Sequence, residues 1–295
     1  MEDNKKIFWI CSYPKSGNTW VRLILSGLFF TNDGIINNFE LLNKIPKFDV
    51  ESNFEFIKKV SKEDYLKIFN KKEYDEESLL AYSKYWIEAQ KRKKIIDGNF
   101  SFFKTHNARV KINSNIYTNS ESSLGFIYIS RDPRDVVVSY SDHIKKNLNF
   151  TVDFLLNGQI MGKEKERKIM PEILLNWGDN YSSWKKFNDV PNLFIKYEDL
   201  LNQTDHEIEK ICDFFDKNYN IKISNKNKKI ENIVNTTKFE NLKENEKKYG
   251  FNESPKSQIF FRVGKHKQWE KKLNKKEIKN IETKFSNIMK ELNYI

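Results

Sequence analysis

The sequence predicts an α/β fold, a single domain over residues 1–295 with a central, mostly parallel sheet flanked by helices. Three observations carry that prediction. The chain opens as strand, turn and helix. Its strand-like runs are apolar without polar alternation, as strands covered on both faces are. No internal repeat, Pro/Gly/Ser linker or abrupt change of composition divides it.

Taken in order, Ile7–Ser12 (IFWICS) is the first strand, and the turn-rich SYPKSGN follows it. An amphipathic helix then runs over Thr19–Phe30, with Trp20, Leu23, Ile24 and Leu28 at helical spacing. Asn37 to Lys94 reads mostly as helix and loop. Its clearest helix is Ser78–Lys94, where Leu79, Leu80, Tyr82, Tyr85, Trp86 and Ala89 form a stripe and basic residues close the end. Phe100–Thr105 (FSFFKT) and Leu124–Ser130 (LGFIYIS) are the second and third strands. In RDPRD, Asp132 is placed as N-cap, Pro133 as the first helical residue and Asp135 as an acidic third residue, so a helix runs to about Lys146. A helix over Lys168–Phe187, a fourth strand at Asn192–Tyr197 and a helix at Asp205–Asp216 follow. Glu240–Gln268 is polar and irregular and reads as a long loop. Asn274–Leu292 closes the chain as an amphipathic helix.

Composition narrows the function classes. With 38% hydrophobic residues, including 23 Phe, 13 Tyr and 6 Trp, the chain is not disordered, and 10 Gly and 6 Pro exclude a fibrous class. Two cysteines, Cys11 and Cys212, are too few for a disulfide framework or a thiolate zinc cluster and are expected buried and reduced. The longest apolar run, Trp20–Phe30, is well short of the roughly 20 residues that span a bilayer, and it carries Arg22. MEDNKK and IFWIC do not make a signal peptide. A soluble cytoplasmic protein, without a membrane partner, is expected. The net charge of +11 suits an anionic ligand but equally a solvated basic surface, so charge alone does not choose.

Chemistry concentrates in three segments. In the first, Ser12 to Trp20 (SYPKSGNTW), a loop joins a buried strand to a helix N-terminus and so offers backbone N–H groups and the positive end of the helix dipole to an anion. Lys15 adds charge, Gly17 permits close backbone approach, and Ser16, Asn18 and Thr19 add short donors. A Walker A loop places Lys after its second Gly, followed by a magnesium-binding Ser or Thr. Here Lys15 precedes the only Gly of the loop, which disfavours a magnesium-dependent ATPase. In the second, Lys104-Thr105-His106 ends the second strand, where ligands gather in an open parallel sheet. A neutral His there can take a proton from a hydroxyl, and Lys104 can stabilise charge on a transferring group. In the third, Arg131 leaves a strand just before a helix and suits a bidentate phosphate contact, with Ser139 two turns further on.

These strings resemble the cytosolic-type sulfotransferases, which use 3′-phosphoadenosine 5′-phosphosulfate (PAPS). YPKSGNTW resembles their 5′-phosphosulfate loop, Lys-x-His carries their catalytic base, and the Arg131–Tyr140 string resembles their 3′-phosphate segment, in which the matching Arg and Ser hold that phosphate. Tyr197 in IKYEDL, Thr237 and Phe239 in VNTTKFENL, and Arg262, Gly264 and Trp269 in FFRVGKHKQW resemble further nucleotide-contacting residues of the family. The chain departs from it at Val263 and at Lys267-Gln268, and shows no clear copy of the C-terminal dimerisation motif of animal members. The other histidines, His143, His206 and His266, match no base position.

The resemblance implies a P-loop NTPase-like form of the α/β fold and a PAPS-dependent transfer. His106 would be the base, and Lys15 and Lys104 would meet charge at the leaving and transferring groups. The nucleotide contacts would be Lys15, Ser16, Gly17, Asn18, Thr19, Trp20, Arg131, Ser139, Tyr197, Thr237, Phe239, Arg262 and Gly264. No metal is expected, and adenosine 3′,5′-bisphosphate (PAP) would be the product. The acceptor, a small molecule, lipid or carbohydrate offering a hydroxyl or amine, is expected to meet Gly34–Asn53, Phe150–Lys168 and Glu240–Gln258. Monomer and homodimer both stay open. The alternatives are a P-loop-type kinase or NTPase, a family relative that binds nucleotide without transfer, and a basic nucleic-acid binder. Dispersed Lys and Arg weigh against the last, so no nucleic-acid partner is expected.

Overall fold

A computed structural model describes residues 6–70, 74–93, 101–161, 168–253 and 259–295. In chain order the elements are β1 (Ile7–Ser12), α1 (Asn18–Phe30), two 3₁₀ turns at Glu40–Lys44 and Glu51–Asn53, α2 (Ile57–Val60), α3 (Lys62–Phe69), α4 (Glu76–Ser83) and α5 (Trp86–Lys91). Next come β2 (Ser101–Thr105), β3 (Lys111–Ile112), β4 (Asn115–Ile116), β5 (Ser123–Ser130), α6 (Pro133–Ile144), α7 (Leu148–Asn157), β6 (Gln159–Met161), β7 (Glu172–Leu175) and α8 (Trp177–Lys185). The chain closes with β8 (Asn192–Lys196), α9 (Tyr197–Asn202), α10 (Thr204–Tyr219), α11 (Lys226–Thr236), α12 (Phe239–Tyr249), α13 (Trp269–Lys272) and α14 (Lys275–Glu291).

Four strands form the main sheet in the order β2-β1-β5-β8. β1 and β2 run parallel, with Ile7 opposite Ser101 and Cys11 opposite Thr105. All six residues of β1 are buried, which is why its sequence lacks polar alternation. The architecture is the α/β fold with a central parallel sheet and flanking helices that the sequence predicts. Each of its four strands runs directly into a candidate site segment: β1 into the Lys15 loop, β2 into His106, β5 into Arg131 and β8 into Tyr197.

The chain packs as two compact units interleaved in sequence. The first comprises Met1–Tyr13, Pro46–Tyr128 and Gly158–Asn192; the second, Pro14–Ile45, Ile129–Asn157 and Leu193–Ile295. The first unit is centred on buried aromatic rings. Trp9 meets Phe48 edge-on at 5.1 Å, Phe54 meets Tyr82 at 4.8 Å, and Trp86 meets Tyr117 at 5.4 Å. Such side chains each bury about 150–250 Å², so a handful supplies much of a core. Antiparallel β6 and β7 also lie here, with Met161 opposite Glu172. In the second unit α1 buries Leu23, Ile24 and Leu28, and Phe29 meets Phe215 of α10 at 4.8 Å. Leu23 also belongs to a cluster with Ile36, Leu42, Leu242, Phe251 and Phe261.

Helix α6 starts as its sequence predicts: the Asp132 carboxylate caps it by accepting from the Arg134 N–H, and Pro133 opens its first turn. Three predicted elements differ. Ser78–Lys94 is not one helix but α4 and α5, separated at Lys84 and Tyr85. There the Tyr82 hydroxyl is drawn to Asp49 and the Tyr85 hydroxyl to Asp64 at 2.8 Å. Lys168–Phe187 is a strand and a helix, because Leu175 takes a left-handed φ of 56° and Asn176 then caps α8. Glu240–Gln268 begins inside a helix, α12, whose buried Glu246 accepts from the N–H groups of Phe260 and Phe261 at 2.6 and 2.8 Å. Lys94, Phe100 and residues 162–167 and 254–258 of the predicted acceptor segments lie outside the described residues. Both cysteines are free and buried, and among the described residues no helix is long and apolar enough to cross a membrane.

Candidate active site

In the first unit, His106 follows β2 and is fixed on three sides. Its Nδ1 lies 2.8 Å from the Ser12 carbonyl oxygen and 3.2 Å from the Ser12 hydroxyl. A carbonyl only accepts, so Nδ1 carries the proton and Nε2 carries the lone pair. The His106 N–H donates to Glu172 Oε1 at 3.0 Å, and its carbonyl accepts from Asn180 Nδ2 at 3.0 Å. Burial pushes His106 down to about 4, with Glu172 working against that and Lys104 and Lys47 adding to it. The ring is therefore neutral at physiological pH.

The groups around it are titratable, with Glu172 and Asp49 buried and Lys47 and Lys104 half-buried. Glu172 Oε2 accepts from Lys47 Nζ at 2.6 Å. Burial acts to raise the Glu172 carboxyl, but Lys47 and His106 together hold it below its ordinary value. Asp49 accepts from Thr105 Oγ1 at 2.9 Å and from the Tyr117 hydroxyl at 3.2 Å. Burial, then the charge of Glu172, lifts Asp49 to about 7. Lys104 lies within β2, its N–H bound to the Pro46 carbonyl and its carbonyl to the Phe48 N–H. Sequence reasoning finds Lys104 and His106 and misses Lys47, Asp49, Glu172 and Asn180. Glu172 stands 66 residues from His106 and carries no local signal.

The second unit gathers the predicted nucleotide residues. Gly17 caps α1 with φ 103°, a conformation that favours glycine, and a Cβ there would come within 2.8 Å of the Tyr197 ring. Lys15 also takes a left-handed φ of 65°, and its ammonium sits 3.7 Å from the centre of the Phe260 ring. Arg131 donates from Nη1 to the Lys15 carbonyl at 3.0 Å and from Nη2 to the Lys265 carbonyl at 3.2 Å. Its guanidinium lies 4.3 Å over the Tyr197 ring. Trp20 meets Tyr197 edge-on at 6.1 Å and donates from Nε1 to Thr237 Oγ1 at 3.1 Å. A Cβ at Gly264 (φ 63°) would overlap the Phe239 ring, so the late loop lies directly on α12. Lys15, Gly17, Trp20, Arg131, Tyr197 and Thr237 thus form one cluster.

Arg262 is turned elsewhere, onto Asp142 of α6 at 2.5 Å, one turn beyond Ser139. Asn18 and Thr19 are buried in the first turn of α1. Asp135, read from sequence as a helix-start acid, also accepts from the N–H groups of Lys267 and Trp269 and so ties the late loop to α6.

Ser16 Oγ, in the Lys15 loop, and Arg131 Nε are buried polar atoms without a protein partner. Buried polar groups are ordinarily paired, and these sit at a helix N-terminus with a basic side chain beside it. The cluster is chemically suited to a multiply charged anion. Among the described residues no group of three or more His, Cys, Asp or Glu is arranged to hold a metal ion.

The family model for the sulfotransferase domain matches residues 5–293. The chain is 21% identical to sulfotransferase 1C2 of Rattus norvegicus over 249 residues, 80% of this chain and 65% of that protein. It is 22% identical to the amine sulfotransferase of Oryctolagus cuniculus over 236 residues, 80% and 62% of the two. With sulfotransferase 1B1 of Canis lupus familiaris it shares 28% over 131 residues, 42% and 39%. The chain thus spans less than two thirds of the length of these curated relatives. Among solved structures it resembles retinol dehydratase in complex with androsterone and inactive cofactor PAP, at TM-score 0.59 and 20% identity, covering 96% of this chain and 80% of that one. It also resembles mouse sulfotransferase SULT7A1 complexed with PAP, at TM-score 0.56 and 18% identity, covering 97% and 84%. At these identities the likeness is one of fold.

Proposed function

The chain belongs to the sulfotransferase domain family, and from that membership we propose that it transfers the sulfuryl group of PAPS to a hydroxyl or amine of a small-molecule, lipid or carbohydrate acceptor. The single observation that carries the reading is the bond from His106 Nδ1 to the Ser12 carbonyl, which leaves a neutral imidazole with its Nε2 lone pair available. That is the form a general base requires.

The donor supplies an electrophilic sulfuryl group attached to a phosphate leaving group. His106 takes the acceptor's proton as the new bond to sulfur forms and the bond from sulfur to the 5′-phosphate oxygen breaks, releasing PAP. With its proton affinity set low, it is neutral and competent across the physiological range, and it loses competence as pH falls through about 4. Lys104 and Lys15 offset negative charge at the transferring and leaving groups, so catalysis rests on positioning and electrostatics, as it does in phosphoryl transfer. The 5′ side of the nucleotide would be held by Ser16, Gly17, Asn18, Thr19 and the start of α1. Its 3′-phosphate would be held by Arg131, with Ser139 and Arg262, and its base by Trp20, Tyr197, Thr237 and Phe239. The orphaned Ser16 Oγ and Arg131 Nε fit that ligand, since both are donors. Arg262 must leave Asp142 to take part.

The test is turnover with PAPS across a panel of hydroxyl and amine acceptors, read as sulfated product and PAP. His106→Ala is expected to lower turnover by about 10²- to 10⁴-fold and to leave PAP affinity within about twofold of the parent. Undiminished turnover in that variant would remove His106 from the role.

A further inference from the structure

Three charged side chains act on His106, from three elements. Glu172 comes from β7, Lys104 from β2, and Lys47 from the extended segment beside β2, where Lys47 bridges to Lys104. Glu172 is fully buried and divides its two oxygens between the His106 N–H and the Lys47 ammonium. A backbone N–H needs only a neutral acceptor, and burying a carboxylate is costly unless it is paired and hydrogen-bonded. Here the fold carries both the charge and its counter-ion beneath one histidine. Asn180 completes the grip: its Nδ2 donates to the His106 and Leu174 carbonyls, and its Oδ1 accepts from the Tyr128 hydroxyl.

We propose that Glu172 is a positioning residue for His106, holding the backbone of the base and setting its proton affinity, with Lys47 as the paired cation whose charge works against protonation of the ring. The proposal rests on His106 being the base. As Nε2 gains a proton the ring becomes an imidazolium, and the nearby carboxylate stabilises it. Lys47 and Lys104 oppose that charge, so the balance of the three fixes how strong a base the ring is. Asp49 lies beyond it and keeps its own proton longer because it is buried and, after that, because Glu172 is already charged.

The experiment is nitrogen-15 NMR of labelled histidine in the full chain, which has four histidines, with a His106→Gln sample to identify the signal. The parent is expected to show the Nδ1–H tautomer and to stay neutral through pH 5. Lys47→Gln keeps an N–H donor to Glu172 but removes the positive charge, and it is expected to raise the His106 midpoint by about one pH unit, tenfold in proton affinity. Glu172→Gln keeps an acceptor for the His106 N–H and removes the negative charge, so the midpoint is expected to fall. Opposed shifts are a signature that a purely structural role does not produce. If Glu172→Gln does not fold, Lys47→Gln alone decides. Equal midpoints in parent and variants, shifts in the same direction, or an Nε2–H tautomer in the parent would overturn the proposal. Opposed shifts in a protein that transfers sulfuryl to no acceptor would support Glu172's role and contradict the reaction.

Discussion

The surroundings of His106 and the loop at Lys15 solve opposite problems. Around His106 the protein supplies its own partners: the ring, N–H and carbonyl are each bound, and Glu172 has both oxygens occupied. At the Lys15 loop the protein leaves Ser16 Oγ and Arg131 Nε buried and unpartnered, and it rests the Lys15 ammonium on a ring. On the proposed reading, the first arrangement serves a proton transfer whose geometry must exist beforehand. On the same reading, the second is completed by a ligand, and carries a folding cost until one arrives.

If the first region is a preformed network, its charges must register in stability. Asp49 titrates at about 7 in the fold and near 4 in an unfolded chain, so between those values the native state binds more protons. Its contribution is fully present below about pH 4 and is lost as pH rises through 7. His106, lowered to about 4, acts in the reverse sense: between about 4 and 6.5 the unfolded chain binds more protons, so its term grows with pH and is complete above 6.5. Thermal melts at pH 5 and 8 should therefore show Asp49→Asn losing less stability than the parent on going to pH 8, by an amount on the order of 2 kcal/mol. Equal losses would show that Asp49 is ionised throughout.

The second region predicts effects on ligands. Arg131→Ala should weaken PAP by about 30-fold, the loss of a charged hydrogen bond of about 2 kcal/mol, while leaving AMP binding nearly unchanged. An equal loss for both nucleotides would move Arg131 away from the 3′-phosphate. The smallest effect sharpens the comparison most. Ser16→Ala should weaken PAP by about five- to tenfold yet leave the melting temperature of the free protein unchanged or slightly raised, since its hydroxyl has no protein partner to lose. A destabilised free protein would mean that the loop is self-satisfied.

The four strands of the main sheet, the α1 and α6 helices and the turn at Lys15 are legible in the sequence because their signals are local. Ile7–Ser12 is uniformly apolar, and Asp132 and Pro133 lie beside the helix that they start. Lys104 and His106 are legible because the pattern is short. The network below His106 is not. Ser12 and Glu172 lie 94 and 66 residues from it, and Glu172 falls in a stretch whose sequence reads as helix until Leu175 reverses its φ. α12 is hidden for a related reason: the partners that make buried Glu246 affordable are backbone groups of Phe260 and Phe261, 14 and 15 residues on. Packing decides those elements, and it is invisible to periodicity.

The central claim is that this chain recognises a nucleotide carrying a 3′-phosphate. Calorimetric titration with PAP, beside AMP and Mg·ATP, tests it most directly. The account predicts tight PAP binding that needs no magnesium and that AMP does not match. Equal affinity for PAP and AMP, or binding that appears only with magnesium, would contradict it.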